Sequence, residues 1–207
     1  MIVIFATNYD AATRCSHWIA LHNHQRLTVE LGLESTILEG DAACRVTLEQ
    51  ALSGGAHGLA FFGHGNPSSL LDATQTSVLD VRNIQLLRDR WIHAFACRAG
   101  NELAGDAAAA GARCFVGYES TLIVEWEPED IPEPIREAFV QLVTQTTVEL
   151  ARGVNELQTL LLASRDTQAL IIEWCDAHPG EADGIEILAQ QLLMRLVVRR
   201  CGEFNPE

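Results

Sequence analysis

The stretch Trp91–Gly100, WIHAFACRAG, decides the fold. It reads as a short apolar strand, Trp91 to Ala96, that stops at Cys97. Arg98, Ala99 and Gly100 turn the chain, and a helix-forming run begins near Asn101. Open α/β sheets bind and react at the carboxyl ends of their strands, where Cys97 falls. Upstream, His57–Gly65, HGLAFFGHG, has the same form: an apolar strand ending at His64, between two glycines. Two adjacent strand ends of this kind place an imidazole beside a thiol. Cysteine hydrolases need that pair, one group to move protons and one to attack.

Working outward, the rest of the first half repeats the pattern. Met1–Ala6, Ser35–Leu38, Arg113–Gly117 and Leu122–Trp126 are further expected strands. Helices are expected over Ala11–Leu31, Thr47–Leu52, Val81–Arg88 and Glu102–Ala110. Near-continuous apolar runs alternating with helices imply a mostly parallel six-stranded sheet, covered on both faces. The Gly63–Ser69 segment reads as a loop. At Glu125–Pro134, EWEPEDIPEP, acidic residues and prolines exclude regular structure. Beyond it the chain reads as helical: Ile135–Ala151, Val154–Asp176 and Ala182–Arg200. One domain is expected over 1–207, with an α/β core over 1–126 and the loop and helices of 127–207 packed on it.

Composition excludes several function classes. Asp plus Glu number 28 against 14 Lys plus Arg, a net charge of −14, and all the cations are Arg. So acidic a chain argues against phosphate-backbone binding and so against nucleic acid, and it could attract basic peptides. No apolar run is long enough to span a bilayer, and the apolar opening lacks a basic leader, so neither membrane nor export is expected. Six cysteines without CxxC or zinc-finger spacing fit free thiols in a reducing cytoplasm. His17, His22 and His24 cluster on the first helix, with His22 on a different face from the other two; a surface cluster is the expected reading, and no metal is expected. There is no G-x-S-x-G, G-x-G-x-x-G or Walker A sequence, so serine-hydrolase and nucleotide folds are not supported.

Cys97 could be an ordinary small buried hydrophobe, as Cys114 and Cys175 are expected to be. Its strand-end position before a helix N-terminus favours a functional thiol. The glycines beside His64 let backbone N–H groups approach a ligand closely.

FFGHG at Phe61–Gly65, FACRAG at Phe95–Gly100 and LAGDAAAAGARCFVGY at Leu103–Tyr118 together resemble the caspase–legumain–gingipain–separase clan (clan CD) of cysteine peptidases. The bacterial CHAT-type members are the most similar. Trp126, the acidic loop and REAFVQLV at Arg136–Val143 resemble the later part of CHAT domains, so the likeness covers about Met1–Asp176. Unlike many CHAT members, the chain enters a helix almost directly after Cys97. The resemblance implies a three-layer α/β/α caspase–hemoglobinase fold and a cysteine endopeptidase that needs no cofactor. Cys97 would be the nucleophile and His64 the proton shuttle. The Gly65 and Cys97 N–H groups would hold the oxyanion, and no third carboxylate is required. An acidic residue shortly after Trp126, best matched by Asp130, would line the pocket for a basic residue before the cut. Asp10, at the end of the first strand, could reach the same edge. The alternative is a basic pocket for Asp, supplied by Arg14 or Arg98. A protein or peptide substrate and a regulatory protein partner are expected. A non-catalytic caspase-like interaction module remains the rival.

Overall fold

The computed structural model of the chain describes residues 1–122, 129, 131–154, 156–179, 185, 189–190 and 196–200. Six strands form the main sheet in the order β2-β1-β3-β7-β8-β9. They are β1 (Ile2–Ala6), β2 (Ser35–Leu38), β3 (Gly58–Phe62), β7 (Trp91–Phe95), β8 (Cys114–Tyr118) and β9 (Leu196–Arg200). The first five pair in parallel and β9 runs antiparallel to β8. This is the expected mostly parallel α/β architecture, with β9 as its antiparallel strand. The end of the segment expected as helix, Ala182–Arg200, is strand β9: LVVRR holds two adjacent β-branched valines, Val197 and Val198, and pairs along the whole of β8. The strand expected over Leu122–Trp126 lies outside the described residues from 123 onward.

Alternation along each strand builds the layers. Ile2, Ile4 and Ala6 join one core cluster, and Val3 and Phe5 join another on the opposite face. Ala60 and Phe62 of β3 follow the first set, Leu59 and Phe61 the second. The first face packs on α1 (Ala11–Gln25), α4 (Glu133–Ala151) and α5 (Leu157–Ala177). The second packs on α2 (Arg45–Ser53) and α3 (Glu102–Ala109). With both faces covered, every residue of β1, β3, β7 and β8 is buried.

Two segments depart from expectation. Residues after His64 form a small antiparallel sheet of β4 (Gly65–Asn66), β5 (Ser69–Leu71) and β6 (Ser77–Leu79) where a loop was expected. Asp80 anchors it: Arg82 and Ser77 donate to its carboxylate, and Arg45 of α2 lies 2.7 Å away. The expected helix Val81–Arg88 shrinks to one 3₁₀ turn, Ile84–Leu87. Among the described residues no helix is long and apolar enough to cross a membrane.

His93, in the middle of β7, is fully buried against α4, where its Nδ1 lies 2.8 Å from Thr147 Oγ1. Burial pushes its pKa from 6.5 down to about 3. The unfolded chain therefore takes up a proton below pH 6.5 while the folded chain stays neutral, and stability falls with pH. From pH 6.5 to 5 this is worth about 2 kcal/mol. Asp80, whose carboxyl the Arg82 side chain holds well below the usual range, adds its own loss only nearer pH 4. Urea melts between pH 7 and 5 should show the slope, and His93→Gln should remove most of it. An unchanged slope in that variant would exclude His93 as the source.

Candidate active site

Register brings the two strand ends together. Phe62 of β3 pairs with Phe95 of β7, and Gly63 N–H donates to Phe95 O at 3.3 Å. His64 and Cys97 each lie two residues beyond that pair. Gly65 sits against the other strand so closely that a Cβ placed on it would lie 2.9 Å from Ala96 Cβ and 3.1 Å from Cys97 O. His64 and Cys97 then face one small cavity of about 40 Å³, walled by Ala12 and Ser16 of α1, by Gly63 and by Leu122. That is room for about one water molecule.

A third group is present. The His64 Nε2 lies 2.7 Å from Asp10 Oδ2. Asp10 is also the N-cap of α1: its Oδ1 accepts the Thr13 N–H at 2.8 Å and the Thr13 hydroxyl at 2.8 Å. Burial opposes ionisation of Asp10, but the hydrogen bonds from His64 and Thr13 outweigh it and hold the carboxyl below the usual carboxylate range. With Nε2–H donating to a carboxylate, Nδ1 is the basic nitrogen. Tyr9 stands beside the pair, its ring edge-on to the imidazole at 5.5 Å between centroids.

The thiol lies on a tight turn. Arg98 takes φ +58°, its N–H donates to Ser120 O at 3.0 Å, and Gly100 N–H donates to Tyr118 O at 2.9 Å. These bonds draw the residues after β8 across the turn. Leu122 N–H then donates to Cys97 Sγ at 3.3 Å. Burial pushes the Cys97 thiol up, only partly offset by that hydrogen bond. Cys44, at the start of α2, is the opposite case: the Thr47 hydroxyl and N–H pull its pKa down. In the uncomplexed chain at pH 7, iodoacetamide should therefore alkylate Cys44 faster than Cys97. Peptide mapping after short labelling checks this; Cys97 labelling first at neutral pH would contradict it.

The other expected residues separate. Asp130 lies outside the described residues. Both oxygens of Asp10 are engaged, by His64 and by α1. Arg98 and Arg14 are exposed. His17, His22 and His24 take separate partners, Glu39, Trp18 O and Ser35. The orienting carboxylate on His64 was not foreseen, although the spacing Asp10-x-x-Thr13 was a readable cap. A larger groove, about 450 Å³, opens between α1 and α4 beside Trp18, Arg26 and Arg136. Size alone would favour it as the site. Its two guanidinium groups are already bonded, Arg26 to Thr144 and Gln145, Arg136 to Ile131 O and Glu133. It also lacks a nucleophile, so the smaller cavity is the candidate site.

No family model and no curated protein matches the chain. Two solved structures do match in fold. A complex of the pro- and mature domains of Porphyromonas gingivalis RgpB superposes with a TM-score of 0.60 at 10% identity, covering 97% of this chain and 47% of that one. The Arg-specific cysteine proteinase gingipain R (RgpB) superposes with a TM-score of 0.58 at 12% identity, covering 97% and 46%. The fold is that of gingipain R. The gingipain fold accounts for the mostly parallel sheet with helices on both faces, and this chain spans about half the length of the gingipain chains it matches.

Proposed function

We propose that this chain is a cysteine endopeptidase of the caspase–gingipain clan, acting through His64 and Cys97. One observation carries the reading: a histidine and a cysteine from adjacent parallel strand ends share one cavity, and a carboxylate orients the histidine. In this reaction Nδ1 of His64 takes the thiol proton as Sγ attacks the peptide carbonyl carbon. The oxyanion is held by the N–H groups of Gly65 and Cys97. Leu71 N–H donates to His64 O, which puts Gly65 at a non-hydrogen-bonded position of the β4–β5 ladder and leaves its N–H out of that pairing. His64 then gives the proton to the leaving amine as the C–N bond breaks, and water, deprotonated by His64, hydrolyses the thioester. Asp10 is assigned to hold the Nε2–H tautomer rather than to bind substrate.

Specificity for a basic residue before the cut is part of the proposal. It draws on the net charge of −14 and on the Arg specificity named for the structural neighbour. Asp130 is the carboxylate assigned to pair with that residue. The CHAT-type assignment rests on the FFGHG and FACRAG motifs, and the single-domain organisation over 1–207 belongs to the same proposal. A protein partner that controls the site is supported by the neighbour's complex with its pro-domain. We place the chain in the cytoplasm on its cysteine usage.

The test is a panel of fluorogenic peptides varied only at the residue before the cut. Cleavage after Arg or Lys that depends on Cys97 supports the proposal. Preference for Asp would move the pocket to Arg14 or Arg98. The second reading, a non-catalytic interaction module, is favoured by the small cavity and by the Leu122 hydrogen bond on Sγ. It predicts no Cys97-dependent cleavage with any peptide or with neighbouring-gene products.

A further inference from the structure

We propose that Tyr9 is a positioning residue for His64, buttressed from the β5–β6 turn by Gln75. The inference rests on the peptidase reading and extends it to residues outside the dyad. His64 follows β3 and lies part-exposed at the sheet end, so its ring needs lateral support as well as the Asp10 bond. Tyr9 supplies a wall: its ring meets the imidazole edge-on at 62° between planes. Tyr9 is itself fixed at both ends. Its backbone N–H donates to Thr13 Oγ1 at 3.0 Å, the same hydroxyl that donates to Asp10. Its phenol oxygen accepts a hydrogen bond from the Gln75 side-chain amide.

The support on the far side is built for that contact. Gln75 takes φ +61°, a conformation uncommon for a side-chain-bearing residue. Asp72 holds the turn in that shape, its Oδ1 accepting the Thr74 N–H at 2.8 Å, the Thr74 hydroxyl at 2.7 Å and the Thr76 N–H at 3.0 Å. Burial and the carboxylates of Asp10 and Asp72 push the Tyr9 phenol up to about 12, so it stays a neutral hydroxyl beside His64 at any working pH. An exposed turn is thereby connected through Gln75 and Tyr9 to the imidazole that faces Cys97.

The experiment is a double-mutant cycle on the full chain with the best peptide of the panel, together with the ¹⁵N signals of the His64 ring. Gln75→Ala and Tyr9→Phe should each lower kcat about tenfold with KM unchanged, and the double variant should be no worse than either single one. Tyr9→Ala, which removes the wall as well, should lose about 100-fold. The His64 ring signals should shift toward a mixture of tautomers in Gln75→Ala, a surface change that leaves folding intact, and keep one tautomer in the parent chain. Independent, multiplicative losses in the double variant would overturn the proposal, as would unshifted His64 signals in Gln75→Ala. Cleavage that survives Cys97→Ala would instead remove the peptidase reading. The ring signals need no turnover, so they decide the Tyr9 assignment in either case.

Discussion

Cys97→Ala and His64→Ala should each abolish peptide cleavage while leaving the chain folded. Asp10→Asn should lower kcat by about 10²–10⁴-fold. Both residues lie past the ends of their strands, on the turn after β7 and in the link to β4. Neither is a buried member of the two core clusters, and Cys97 only packs against the edge of the first, so truncation leaves the fold standing. Asp10→Asn keeps the size of the side chain and can still accept from Thr13. It loses the charge that favours the protonated Nε2 of His64, so the imidazole can take the wrong tautomer. Asp10→Ala should add a loss of stability of about 1 kcal/mol, because α1 loses its N-cap. Kinetics on the four variants, with urea melts run in parallel, separate the effects. Full activity in Cys97→Ala would end the proposed mechanism. Full activity in Asp10→Asn would leave the dyad standing and remove the orienting carboxylate.

Gly58→Ala should be the most damaging single methyl group in the sheet. Gly58 opens β3 and pairs with Trp91, which opens β7. A Cβ built on Gly58 lies 2.1 Å from Trp91 Cε2. The indole lies across the glycine, and at 1% exposure it has no solvent to move into. The clash must push apart the two strands that carry His64 and Cys97. Overpacking of this kind costs roughly 1–3 kcal/mol, and here the upper end or more is expected. For a chain of this length that lowers Tm by about 6–12 °C. Activity should fall as well, because strand separation at the start of β3 and β7 carries to their ends. Thermal melts of Gly58→Ala beside the parent chain check it, and an unchanged Tm would show that Trp91 can repack.

The sheet, and the meeting of His64 and Cys97 at one edge of it, were legible because both rest on local signals. IVIFA, GLAFF and WIHAF are apolar without interruption, the mark of strands buried on both faces. His64 and Cys97 stand out as chemical groups at the ends of such runs. The hairpin β4–β6 was hidden because its strands hold only two or three residues, too few to set a period. LVVRR at Leu196–Arg200 follows a run that reads as helical and carries no turn signal that would separate it from that run. Pairing with β8, more than seventy residues earlier, outweighs that local preference, since it covers the edge of the sheet.

The sequence by itself determined the fold class, the two parallel strands that meet at the candidate site, and the imidazole and thiol that end them. Each follows from hydrophobic runs and the residues that end them, information held within about ten positions. Only the tertiary structure decided what surrounds those two groups. Asp10 and His64 are 54 residues apart in the chain and 2.7 Å apart in space. Leu122 reaches Cys97 Sγ across 25 residues, and Gln75 reaches Tyr9 across 66. Hydrogen bonds between residues distant in sequence leave no period in it, because they depend on strand order and register, which set which parts of the chain meet.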